Sequence, residues 1–122
     1  MSFYLIPHQG ESIKVNVWTW SPLVELLREK KVLPQEILEA MDFNSSVEVS
    51  SEEAEKIVVF LDHYINTLSG KTKRIQHDFS EEETEDAGEL HRQNLEKNYS
   101  INVEWLKEFR DFCKKSGGFE VS

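Results

Sequence analysis

The sequence lacks several features that would mark a particular class of protein. Its 122 residues include one cysteine, Cys113, so no disulfide can form within the chain. In a chain of this size a lone cysteine favours a reducing compartment. No apolar run approaches the roughly 18 residues of a membrane span. The N-terminus has no basic region followed by an apolar one, so we expect no signal peptide. Together these absences predict a cytoplasmic protein without a membrane anchor.

Positive charge is also scarce. The chain has 14 Lys and Arg against 23 Asp and Glu, which gives a formal charge of −9. Nucleic acids and anionic lipids are bound mainly through Lys and Arg, so we expect neither as a partner. A basic protein remains a possible partner. Most of the excess negative charge lies in one stretch without Lys or Arg, whose acids are Asp78, Glu81, Glu82, Glu83, Glu85, Asp86 and Glu89.

No motif for a cofactor or a metal stands out. The segment 69–72 (Ser-Gly-Lys-Thr) resembles the end of a phosphate-binding loop, but the glycine that such a loop needs five residues before Gly70 is Ile65. The histidines show no pair at helical ligand spacing. Cys113 falls on the same predicted helix stripe as two phenylalanines, which favours a small core residue over a nucleophile. We therefore predict a non-enzymatic protein with no cofactor and no metal.

What the sequence does contain is enough apolar material for one core. Hydrophobic residues make up 39% of the chain, with seven Phe, three Trp and three Tyr. Each large apolar side chain that becomes fully buried contributes roughly 1.5–3 kcal/mol. This composition and length predict one domain spanning residues 1–122.

Strand patterns occur at both ends of the chain. Residues 3–6 form a short apolar run, and residues 12–17 alternate apolar and polar with Gly10 between the two runs, which predicts a hairpin. If the second strand continues, Trp18 and Trp20 lie on its polar side. Ser21 and Pro22 are typical of a helix start. Residues 119–121 predict a strand that pairs with the hairpin.

Helical patterns fill the remainder. A short helix is expected after Pro34 and a long one over 51–69, where Ser50 and Glu53 match a capping box and Gly70 can end the helix. Another helix is expected over 102–115. The predicted fold class is α+β, with a small antiparallel sheet (N-terminal hairpin plus C-terminal strand) packed against three to four helices.

The segment 71–99 differs from the rest because it is acidic and poor in apolar residues. Ile75 and Phe79 are among its few core candidates, and residues 81–97 can form a helix weakened by Gly88. We interpret the segment as a loosely packed, solvated excursion from the core.

Two features are candidates for partner binding. Val59 points away from the apolar stripe of its helix and Phe60 lies at the flank, so both either form an exposed apolar patch or are covered by 71–99, and we expect the cover. The second feature is a run of acids that serves either as a solubilising face or as a docking surface, namely Glu81, Glu82, Glu83, Glu85, Asp86 and Glu89.

A resemblance covers about a third of the chain, at its two ends. It rests on Trp18-Thr19-Trp20-Ser21-Pro22-Leu23 after the N-terminal strand, and on the C-terminal stretch from Trp105 through Ser116-Gly117-Gly118-Phe119-Glu120-Val121. Together these stretches resemble a group of small bacterial proteins with no assigned activity. The resemblance implies no catalytic residues.

Three functional hypotheses follow. The first is a protein-binding domain, such as an immunity protein or an inhibitor of a bacterial toxin, that uses its acidic face. The second is a small-ligand regulatory domain with a pocket near a strand carrying Trp18 and Trp20, although core packing is the simpler expectation for both rings. The third is a small hydrolase built on His77, Asp78 and nearby carboxylates.

Overall fold

A computed structural model describes residues 2–43, 46–76, 79–82 and 99–122. This part of the chain forms four helices and seven strands. In chain order they are β1 (Ser2–Pro7), β2 (Ile13–Asn16), α1 (Val17–Glu29), α2 (Gln35–Asp42), β3 (Val47–Val49), α3 (Ser51–Thr67), β4 (Arg74–Gln76), β5 (Glu81–Glu82), β6 (Ser100–Asn102), α4 (Val103–Ser116) and β7 (Phe119–Val121).

The larger sheet joins the two ends of the chain. It is antiparallel with strand order β2-β1-β7-β3. The hairpin pairs Phe3 with Val15, and the C-terminal strand pairs Val121 with Leu5. This arrangement confirms the predicted sheet and the α+β fold class. Strand β3, at the far edge, has only three residues, too few for a periodic pattern to reveal it.

The core lies on one face of this sheet. Side chains alternate along β1, so that Phe3 and Leu5 are fully buried while Tyr4 and Ile6 point to solvent. Two aromatic side chains from helices fill the space above the inner face. Trp20 lies 5.9 Å from Phe3 and 5.8 Å from Phe109 between ring centroids. The indole N–H of Trp20 donates to the Met41 carbonyl at 3.0 Å, which satisfies its one buried polar group.

Helix α1 begins earlier than the sequence predicted. Asn16 is its N-cap and accepts a hydrogen bond from the Thr19 backbone N–H at 3.0 Å. Trp18 and Trp20 therefore lie on a helix, and the predicted continuation of the strand is wrong. Pro22, predicted at the helix start, lies inside the helix and cannot donate to the Trp18 carbonyl. An interior proline costs about 3 kcal/mol. Complete burial of Trp20 offsets much of this cost.

The predicted helices after Pro34, near 51–69 and near 102–115 are present, although α3 ends at Thr67 with Leu68 as its C-cap, so Gly70 does not end it. α2 follows Pro34, and α3 carries the predicted capping box, in which Ser50 and Glu53 bond each other's backbone N–H groups. α4 ends at Gly117, whose φ of 66° is left-handed, a conformation that glycine adopts without steric cost. α3 and α4 pack against each other beside the sheet.

A second, three-stranded sheet has the order β5-β4-β6. Its central residue Ile75 pairs with Ile101, and both are fully buried. The described ends of the segment 71–99 are therefore tied to the core by strand pairing. Glu81 and Glu82 form a strand, so the predicted helix is wrong at these two positions. The rest of that predicted helix lies outside the described residues, as do His77 and Asp78.

No helix in the described ranges combines the length and the apolarity needed to cross a bilayer.

Candidate protein-binding surface

The surface of α3 carries a shallow groove beside the loop that follows α1. Its volume is about 600 Å³. The loop forms one wall, and the exposed side of α3 forms the floor and the opposite rim. The groove is lined by Lys30, Val32, Glu52, Glu55, Lys56, Val59 and Phe60. We call this feature the α3 groove.

The α3 groove exposes apolar side chains. Val59 is 64% exposed, so the expectation that it is covered is wrong for this residue. A helix turns by about 100° per residue, which places Val58 toward α4 and the core and Val59 toward solvent. Phe60 is half-buried and stacks on Tyr64 with ring centroids 5.6 Å apart and planes 21° apart. Phe60 therefore contributes aromatic surface to the groove.

The charged residues of the groove are of both signs. Glu52 and Glu55 lie in the first turns of α3, where acids suit the helix dipole. Lys56 follows them on the helix, and Lys30 contributes from the opposite wall. An apolar strip edged by charges resembles the usual construction of a protein interface, with apolar residues at the centre and polar ones at the rim.

The groove is linked to the start of the acidic segment through Tyr64. Burial, and secondly the negative charge of Glu81, raise the pKa of the Tyr64 phenol, so Glu81 lies within electrostatic reach of this ring. The Glu81 carboxylate accepts a 2.9 Å hydrogen bond from the Thr72 hydroxyl. Phe60 and Glu81, two of the predicted partner-binding residues, therefore both interact with Tyr64, Phe60 by stacking and Glu81 through its charge. Sequence reasoning did not single out Tyr64, because no local pattern relates it to Glu81.

The remaining acids of the predicted surface are only partly described. Glu82 lies in β5 beside Glu81. The other four lie outside the described residues, namely Glu83, Glu85, Asp86 and Glu89. The carboxylates around His77 that were considered for a hydrolase fall largely in the same ranges.

The tryptophan pocket is not supported by the packing of Trp20. This side chain is 0% exposed and forms part of the aromatic core. Trp18 is half-buried and contacts Tyr99 at 4.6 Å between ring centroids. A strand was predicted to carry both rings, whereas α1 directs them to different surroundings. Trp20 therefore serves to fill the core.

Cys113 is buried, as the sequence predicted. Burial raises the pKa of its thiol far above the ordinary range, so the neutral thiol is the form present at physiological pH. A nucleophilic cysteine needs the thiolate. A smaller cavity of about 330 Å³ reaches Cys113 between the N-terminal turn of α3 and the C-terminal end of α4. The thiol there acts as a small apolar side chain.

One polar contact could not be anticipated from the sequence. The ring of His8, just after β1, bonds the Glu48 carboxylate at 2.6 Å through Nε2 and the Gly117 carbonyl at 2.9 Å through Nδ1. Its partners are 40 and 109 residues away along the chain. Only the strand order, with β7 between β1 and β3, brings them together.

Within the described ranges, no three His, Cys, Asp or Glu side chains converge as metal ligands would. Comparisons with protein-family models, with curated proteins and with solved structures found no match.

Proposed function

We propose that the protein is a non-enzymatic, cytoplasmic protein-binding domain that captures a basic protein partner. The observation that carries this proposal is the exposed Val59 beside the stacked Phe60 in the α3 groove. Apolar side chains that are grouped and exposed are typical of interaction sites in otherwise well-packed domains.

Charge supports a basic partner. The net charge is −9, and Glu81 of the acidic segment lies within electrostatic reach of Tyr64, which stacks on Phe60 of the α3 groove. A negative field of this kind accelerates encounter with a positively charged protein and orients it before contact. The apolar groove would then supply most of the affinity after docking. In its narrower form, the proposal is an immunity protein or inhibitor of a basic bacterial toxin.

The groove is tested with two matched substitutions. Val59→Ser removes the exposed apolar side chain from the groove, and Phe43→Ser removes an even more exposed one, at 73%, that does not line it. Both are surface changes and should leave the thermal midpoint nearly unchanged. A partner identified by affinity capture and mass spectrometry is then titrated against each purified variant by calorimetry. We expect Val59→Ser to weaken binding at least about tenfold, as central interface residues do.

Phe43→Ser should bind like the unaltered protein. Equal affinities for all three proteins would refute the groove as the binding surface. A partner of acidic character would refute the electrostatic part of the proposal while leaving the groove in place.

The acidic segment has a separate kinetic test. Glu82, Glu83, Glu85 and Asp86 are replaced by the corresponding amides, and association rates are measured by stopped flow over a range of salt concentrations. We expect slower association and a weaker salt dependence, since steering depends on long-range charge. Unchanged association kinetics would show that these acids only solubilise the chain.

A further inference from the structure

The outer face of the larger sheet carries a bridge between three separate parts of the chain. His8 follows β1, Glu48 lies in β3 at the sheet edge, and Gly117 lies in the turn from α4 to β7. The His8 backbone N–H also donates to the Gly118 carbonyl at 2.9 Å, which fixes the residue beside its partners. The ring lies so close to Gly118 that a Cβ there would be 2.9 Å from it, and Gly118 has a φ of 106°.

The partners of the ring favour a form in which both of its nitrogens carry hydrogen. A carbonyl oxygen and a carboxylate oxygen can only accept, so each ring nitrogen needs a hydrogen to bond its partner. Neutral imidazole has one N–H and can satisfy one of the two. The imidazolium ion has two N–H groups and satisfies both at once. The geometry, with contacts of 2.6 and 2.9 Å, therefore fits the charged ring.

The charges around His8 favour the same form. Glu48 lies directly opposite Glu120 on the neighbouring strand β7. Like charges opposite each other on adjacent strands are destabilising. Glu120 in turn pairs with Ile6, two residues before His8, so both carboxylates share the outer face with the ring. From β2 the charged residue on this face is Lys14, which lies over the Tyr4 ring.

We infer that His8, Glu48 and Glu120 form a proton-linked clasp that strengthens the attachment of the edge strand β3 to the sheet when His8 is charged and weakens it when His8 is neutral. Loss of the proton removes one of the two ring hydrogen bonds and leaves the repulsion between Glu48 and Glu120 without a nearby positive charge. Histidine changes charge between about pH 5 and 8. The clasp contributes stability at the acidic end of this range and loses it as pH rises.

Amide hydrogen exchange measured by NMR tests the clasp. Protection factors, corrected for the intrinsic pH dependence of exchange, are compared at about pH 5.5 and about pH 8. We expect the protection factor of the most protected amide of β3 to be about two- to tenfold smaller at the higher pH. Two causes add up, because the exposed ion pair between His8 and Glu48 is lost and the repulsion between Glu48 and Glu120 is no longer offset. Protection in α3 should not follow this pattern.

Three variants separate the clasp from general effects of pH. His8→Gln should abolish the difference between the two pH values, and Glu120→Gln should reduce it, because the repulsion is removed. His63→Gln, at an exposed histidine on α3, should retain it in full. A pH difference of the same size in His8→Gln, or no difference in the unaltered protein, would overturn the inference.

Discussion

Two neighbouring valines on α3 occupy opposite environments. Val58 is 9% exposed and faces the core beside Cys113, whereas Val59 is 64% exposed and lines the α3 groove. Val58 belongs to the buried hydrophobic core. Around Val59, apolar side chains meet solvent and charges of both signs. A hydrophobic residue on one side of this helix holds the fold together, and a chemically identical residue on the other side is left free for contact.

The same contrast distinguishes the aromatic core from the groove. Trp20 is surrounded by other rings and by the Met41 carbonyl. Phe60 has Tyr64 on one face and remains half-buried. If the contrast is correct, substitutions on the core side should change folding and those on the groove side should change binding.

The largest effect is expected at Trp20. Replacement of Trp20 by alanine removes the centre of the aromatic cluster and leaves the Met41 carbonyl without its donor, so the free energy of unfolding should fall by about 3–5 kcal/mol. Trp18→Ala, at a half-buried position in the same helix, should cost clearly less. Urea denaturation followed by circular dichroism measures both. If Trp20→Ala does not fold, Trp20→Phe provides the comparison, and a cost for it no greater than that of Trp18→Phe would contradict the assignment of Trp20 to the core.

The elements with strong local patterns could be predicted from the sequence. The capping box of α3, the helix stop at Gly117 and the alternation in β2 each lie within a few consecutive residues, and the structure has all three. The predicted start of α1 was wrong because the stretch contains two start signals, Asn16 and the pair Ser21-Pro22, and the pair is the more conspicuous. Asn16 is the cap in the structure because a helix that begins there places Trp20 in the core. The burial of Trp20 depends on packing against residues far away in the chain, which no local pattern predicts.

The candidate site was less accessible to sequence reasoning. The helical period correctly set Val59 apart from the buried stripe, but whether another segment covers it depends on the packing of distant residues. The acidic run was visible as composition, yet its link to the groove depends on Tyr64, and the His8 bridge depends on strand order. Contacts across strands, or between elements far apart in the chain, cannot be predicted from a local sequence pattern.

An intermediate effect is expected from the thiol on the core side of α3. Burial keeps the pKa of Cys113 well above its value in the unfolded chain, which is about 8.5. The unfolded chain therefore loses this proton first as pH rises. The stability that the neutral thiol contributes is fully present below about pH 8.5 and is lost progressively above it, by about 1.4 kcal/mol for the first full pH unit.

Cys113→Ala provides the matched control for this pH dependence. The difference in unfolding free energy between the unaltered protein and Cys113→Ala should shrink between about pH 8 and about pH 10, as measured by urea denaturation. A constant difference over that range would mean that the thiol ionises equally in the folded and unfolded states, and Cys113 would then not belong to the core side of the contrast.

The smallest effect is expected at Val59 itself. Val59→Ala removes only exposed apolar surface, so the free energy of unfolding should stay within about 0.5 kcal/mol of the original. Because alanine has a higher helix propensity than valine, the change should be toward greater stability. Val58→Ala has the same change in helix propensity but loses buried methyl groups, so it should be destabilising by about 1–2 kcal/mol. Because intrinsic propensity cancels between the two variants, the difference in their urea midpoints measures burial alone. Equal midpoints would mean that the two valines are covered to the same extent in solution, and the α3 groove would then be closed.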